Sequence, residues 1–155
     1  MRFDVRPFEG ALPIRFGMLR EDVHRLLGSP ANHFQHTHMP GSCDLFPKVG
    51  CNVGYDASGV VTEVVVLPKA DGLTIDGRAV WGMGVVTDPN FGLLDLDPAP
   101  VAAVGSWFFL RLGVSTCGFH DDDLSQAAVH VWPRGGYDEV IEDAEPADTA
   151  KYRVG

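Results

Sequence analysis

Long apolar runs are missing from this chain, and so are clusters of basic charge and paired cysteines. The longest apolar stretches, Val64 to Leu67 and Trp107 to Leu110, are strand-sized. Neither approaches the ~20 apolar residues that a membrane-spanning helix needs. The twelve lysines and arginines are scattered, and the net charge is −9. Phosphate recognition requires several converging positive charges, so nucleic acid is excluded as an expected ligand. A polybasic membrane patch is excluded on the same ground. Cys43, Cys51 and Cys117 are odd in number and have no paired spacing. That pattern fits reduced thiols in a cytoplasm, each expected as a small buried hydrophobe. The N-terminal residues show no apolar signal segment followed by a small-residue cleavage site. The expectation is a cytoplasmic protein whose acidic surface suits a basic protein partner.

Eighteen glycines and eleven prolines in 155 residues imply many turns and short elements. They favour sheet over long helices. Residues 1–16 read as an extended lead-in, because Pro7 and Pro13 oppose helix. The clearest helix follows, from Met18 to Leu27. Leu19, Val23, Leu26 and Leu27 form one apolar stripe, and Gly28 and Pro30 stop it. Residues 31–48 are polar and irregular, with room for an edge strand. Val49 to Tyr55 and Val60 to Leu67 read as a hairpin around the Asp56-Ala57-Ser58-Gly59 turn. Beyond it, Asp97 to Val104 suggests a short, weak helix. Trp107 to Cys117 reads as one long strand, and Ala127 to Trp132 as another. Residues 141–155 are expected to be a loosely held acidic tail.

These readings predict a single α+β domain over residues 1–155, an antiparallel sheet with one or two short helices packed on one face. The two halves also echo each other at a constant offset. Gly17-Met18 matches Gly82-Met83, Asp56 matches Asp121, and Val64, Val66 and Pro68 match Val129, Val131 and Pro133. The echo suggests a tandem repeat, residues 14–71 and 79–136.

The stretch from Phe16-Gly17-Met18 through Val23 to Leu27-Gly28-Ser29-Pro30 resembles the signature of SmpA/OmlA-type small proteins. A tandem helix-then-sheet unit is also similar to the architecture of β-lactamase inhibitory proteins. The strand followed by Gly136-Tyr137 resembles small uncharacterised bacterial proteins. Leu19 stands where that signature usually carries a capping Thr, so the helix cap must come from elsewhere. The resemblance implies a fold and a protein-binding role, inhibitor-like or immunity-like, and no catalytic residues.

Candidate chemistry falls into three groups. His33, His36, His38 and Cys43 supply four zinc-type donors, although without a standard metal-ligand spacing. A metal-binding protein using this loop is the alternative function; a self-associating structural module is another. His120-Asp121-Asp122-Asp123 offers carboxylates to a hard cation, but lacks the alternate ligand spacing of a calcium loop and reads instead as a solvated acidic turn. On the last strand, alternation places His130 and Trp132 on the face opposite Val129 and Val131. His130, Trp132 and Tyr137 are therefore the expected partner-binding residues, with Trp132 as an exposed anchor. No nucleophile, base and orienting group stand in any recognisable order, and no phosphate loop or nucleophile elbow is present. The chain is expected to be a non-catalytic binding protein without a cofactor.

Overall fold

A computed structural model describes residues 1–82, 88–119 and 124–152. The chain opens with three short strands: β1 (Arg2–Arg6), β2 (Gly10–Leu12) and β3 (Ile14–Arg15). Helix α1 (Arg20–Leu27) leads into a four-strand meander of β4 (Asn32–Gln35), β5 (Ser42–Phe46), β6 (Cys51–Tyr55) and β7 (Val61–Val66). β8 (Gly72–Ile75) and β9 (Arg78–Gly82) follow. Helix α2 (Asn90–Leu96) then precedes β10 (Val101–Ala103), β11 (Ser106–Phe109), β12 (Val114–Cys117) and β13 (Ala128–Val131). α3 (Asp138–Ile141), β14 (Glu145–Pro146) and a single 3-10 turn at Ala150–Tyr152 follow.

These elements form two antiparallel-rich sheets and three short helices, an α+β architecture. The smaller sheet has the order β3-β2-β1-β8-β9, with β1 and β8 parallel. The larger has nine strands, β14-β10-β11-β12-β13-β7-β6-β5-β4, all paired antiparallel. At its centre β7 lies beside β13, with Val64 opposite Val131 and Val66 opposite Val129.

Period-two alternation explains the larger sheet's burial. Cys51, Val53 and Tyr55 of β6, Val64 and Val66 of β7, Val114 of β12, and Val129 and Val131 of β13 face inward. Phe3, Val5, Leu73 and Ile75 from the smaller sheet join the same apolar cluster, as do Val23 of α1 and Leu93 of α2. The β6–β7 turn forms as its residues predict. The Asp56 carboxylate accepts the amides of Ser58 and Val60 at 2.8 and 3.1 Å, and Gly59 takes a positive φ of 78°. No helix among the described residues is long and apolar enough to cross a membrane.

Several expectations need correction. Trp107 to Cys117 is two strands, because the chain turns back at Gly113. There φ is 64°, and an added Cβ would lie 2.9 Å from the Trp132 carbonyl oxygen. Asp97 to Val104 holds no helix: Pro98 and Pro100 offer no N–H to a helical turn, and residues 101–103 extend as β10. The tail docks, with Ala102 opposite Glu145 and Val101 opposite Pro146. The α1 stripe is only partly buried. Val23 is in the core, while Leu19 and Leu26 are 45% and 43% exposed. Asp22 supplies the cap that Leu19 lacks, its carboxylate accepting the Leu19 amide at 3.1 Å. Met83 and Asp121 of the sequence echo and the His120-Asp121-Asp122-Asp123 cluster lie outside the described residues.

Candidate functional site

The face of the nine-stranded sheet away from the core is a polar and apolar mosaic. One row of register partners runs Leu45, Asn52, Val65, His130 and Ser115 across five strands. The adjoining positions are Phe34 opposite Cys43, then Gly54 and Glu63. Cys43, Leu45, Asn52, Glu63, Val65 and His130 are half-buried, and Phe34 is exposed. Helices α1 and α2 do not cover them, since Val23 and Leu93 join the cluster behind the opposite face.

Three strands of this outer face bring together a thiol, an imidazole and a carboxylate. Cys117 Sγ on β12 lies 4.0 Å from His130 Nε2 on β13. His130 Nδ1 lies 3.4 Å from Glu63 Oε1 on β7, an ion-pair distance outside hydrogen-bond geometry. The Tyr137 hydroxyl, just ahead of α3, donates to Glu63 Oε2. Burial by itself would push the His130 imidazole down, but Cys117 and Glu63 outweigh it and hold it raised, at about 9. His130 in turn lowers the Cys117 thiol, against the effect of burial. Burial would raise Glu63, yet His130 and Tyr137 keep its carboxyl below the usual value. A cleft of about 160 Å³ lined by Asn90, Trp107, Thr116, Phe119, Lys151 and Tyr152 lies on the α2 side of β12, behind the face from which Cys117 Sγ projects.

The expected partner-binding residues do converge here, but not as an open hot spot. His130 and Tyr137 meet at Glu63. Trp132 is only 4% exposed. The turn from Pro133 to Tyr137 folds back over it, and its ring packs against Phe8, Phe108 and Tyr137 at 6.1, 6.4 and 5.5 Å between centroids. Trp132 is thus a core aromatic, the usual fate of a large ring.

The expected metal donors are not gathered. Register places His33 opposite Asp44 and Phe34 opposite Cys43, so His33 and Cys43 project from opposite faces of the β4–β5 pair. The His36 ring stacks edge-on against Phe34 at 5.8 Å, and His38 is exposed beyond the strand. Among the described residues no group of three or more His, Cys, Asp or Glu side chains is placed to hold a metal ion.

His33 serves a different centre. Asp44 projects inward from β5 and is fully buried, where it accepts five hydrogen bonds. Arg20 donates two, at 2.9 and 3.0 Å. His24 Nε2 donates at 2.8 Å, His33 Nδ1 at 2.6 Å, and the Tyr55 hydroxyl at 2.9 Å. Burial would raise this carboxyl, but Arg20, His24, Tyr55 and His33 together hold it far below the usual range. The hub ties α1 to β4, β5 and β6. Its one advance signal was a carboxylate at a position where β5 alternation faces inward; the Cys117–His130–Glu63 set had none, because its members are far apart in sequence. No protein-family model, no curated protein and no solved structure matches this chain.

Proposed function

We propose that this chain is a protein-binding module of inhibitor or immunity type, built from two tandem helix-and-meander units. The proposed contact surface is the outer face of the nine-stranded sheet. The observation that carries this reading is the half-buried row Leu45, Asn52, Val65 and His130, left free by α1 and α2 and flanked by Cys43 and exposed Phe34. A mixed apolar and polar face, with aliphatic side chains already part-buried, is suited to a protein interface. The order of elements supports the tandem arrangement: α1 precedes β4 to β7, α2 precedes β10 to β13, and the two meanders pair through β7 and β13. The net charge of −9 favours a basic partner and its fast encounter.

The test is capture from native lysate by the immobilised chain, compared with a Leu45→Lys/Val65→Lys variant and a Ser58→Lys control on the exposed β6–β7 turn. A stoichiometric basic partner held by wild type and control, and weakened at least ~10-fold by the face variant, is the expected result. A partner held equally by all three, or none above background, overturns the proposal.

A further inference from the structure

Beyond partner binding, we propose that Cys117, His130 and Glu63 form a thiol-dependent acyl-transfer site that accepts activated carboxylic esters or thioesters. Cys117 is the nucleophile, His130 its acid–base partner and Glu63 the carboxylate that orients the imidazole. Each role has a geometric basis. Sγ is 4.0 Å from His130 Nε2, a separation that suits a large sulfur atom in an unliganded site. Glu63 Oε1 faces the other ring nitrogen at 3.4 Å. The Tyr137 hydroxyl occupies Oε2, which fixes the carboxylate and leaves Oε1 for the imidazole. All three reacting side chains stand on paired strands, a more rigid mounting than loops.

The other thiols are unsuited to this role. Burial pushes Cys51 up to about 12 and, with Glu63 and Asp44, pushes Cys43 up to about 11. Cys117 is lowered by its imidazole neighbour. Disulfide chemistry fits less well, because no second thiol is in reach. Cys51 faces the core side of the sheet, and Cys43 on β5 is four strands away from β12, roughly 19 Å at the usual strand spacing. A base and an orienter are what acyl transfer needs and a simple oxidation sensor does not. Cys117 Sγ projects with His130 from the outer face of the sheet, so an acyl donor reaches it from that side and not from the cleft on the α2 side of β12.

In the first step the Cys117 thiolate attacks the substrate carbonyl carbon. A carbon–sulfur bond forms, the bond to the leaving alkoxide or thiolate breaks, and the proton on His130 Nε2 passes to that leaving group. In the second, His130 takes a proton from water while the water oxygen bonds to the carbonyl carbon. The carbon–sulfur bond breaks, releasing the carboxylic acid and restoring the thiolate–imidazolium pair. The net reaction is hydrolysis, with no oxidant or reductant required.

The test uses the full chain with p-nitrophenyl acetate, reading the p-nitrophenol burst and mapping the acetyl group by mass spectrometry, alongside iodoacetamide alkylation at neutral pH. The expected result is one acetyl per chain on Cys117 and alkylation of Cys117 ahead of Cys43 and Cys51. The burst should be lost in Cys117→Ala, kept in Cys43→Ala, and slowed ~100-fold in His130→Gln. Acetylation elsewhere, an unchanged burst in Cys117→Ala, or an unchanged rate in a His130→Gln protein with wild-type circular dichroism overturns the proposal. Alkylation of wild-type Cys117 no faster than free cysteine at neutral pH overturns it without any variant. The readout is chemical, so partner capture can fail while this site stands, and the reverse.

Discussion

Replacing Asp44 with alanine should cost about 3–5 kcal/mol of folding stability, the range seen when one side of a buried charged network is removed. The structure shows how that figure arises. Hydrogen bonds to an ionised group contribute about 1.5–3 kcal/mol each, and Asp44 accepts five. Most of that is recoverable: Arg20, His24 and His33 are 39%, 29% and 28% exposed and can turn to water. The Tyr55 hydroxyl cannot, being only 2% exposed, and an orphaned buried hydroxyl costs about 1–3 kcal/mol. The remainder is the lost tether between α1 and the sheet. For a chain of this size the melting temperature should fall by roughly 10 °C. Asp44→Asn should lose a similar amount, because one oxygen becomes an NH₂ group facing donors. Urea unfolding followed by tryptophan fluorescence, with the m-value checked for constancy, gives the number. The pH profile gives a second reading. Asp44 is depressed in the folded state, so its contribution is complete above the unfolded value of about 4 and drains away as pH falls through the folded value. The gap between wild type and Asp44→Ala should therefore be constant near neutrality and narrow below about pH 4. A loss under ~1 kcal/mol, or a gap that stays constant well into acid, refutes the account of this hub.

Two further outcomes follow from the outer face. His130 is raised to about 9 among Cys117, Glu63 and Tyr137, so the stability it adds is complete below the unfolded value of about 6.5 and is lost as pH rises through about 9. Thermal midpoints across that window should fall in wild type and fall less in His130→Gln; parallel curves would refute the shift. Trp132→Ala should destabilise the fold by about 3–5 kcal/mol, as buried aromatic truncations do, since its ring packs among Phe8, Phe108 and Tyr137. A urea midpoint near that of wild type would return Trp132 to the surface.

What the sequence revealed was local. Alternation in Val60 to Leu67 and Ala127 to Trp132, the Asp56 turn, and the Gly28-Pro30 stop each act over a few residues, and each appears close to where it was expected. Non-local outcomes were hidden. β1 pairs in parallel with β8 across almost half the chain, which no periodicity announces. Alternation put Trp132 on the outer side of β13 correctly, but could not see Phe8 and Tyr137 arriving to bury it. The four zinc-type donors were close in sequence, yet the β4–β5 register divided His33 from Cys43. Conversely, Glu63, Cys117 and His130 share no local pattern and meet only because β7, β13 and β12 are neighbours.

The two carboxylates set into the larger sheet argue for where function resides. Both are surrounded by histidine and tyrosine, but their acceptor capacity differs. Asp44 Oδ2 takes Arg20, His24 and Tyr55, and Oδ1 takes Arg20 and His33, so every lone pair is used and the carboxylate is shut away from solvent. A saturated, buried centre of this kind holds a helix in place and has little left to offer a ligand. Indeed α1 buries Val23 but leaves Leu19 and Leu26 largely exposed, so its position depends on this polar anchor more than on an apolar stripe. Glu63 is 29% exposed, satisfied at one oxygen by Tyr137 and facing His130 at the other without a formed hydrogen bond. That unspent capacity, next to a half-buried thiol on a sheet face that α1 and α2 leave free, is what a site retains when it must still respond to something outside the fold.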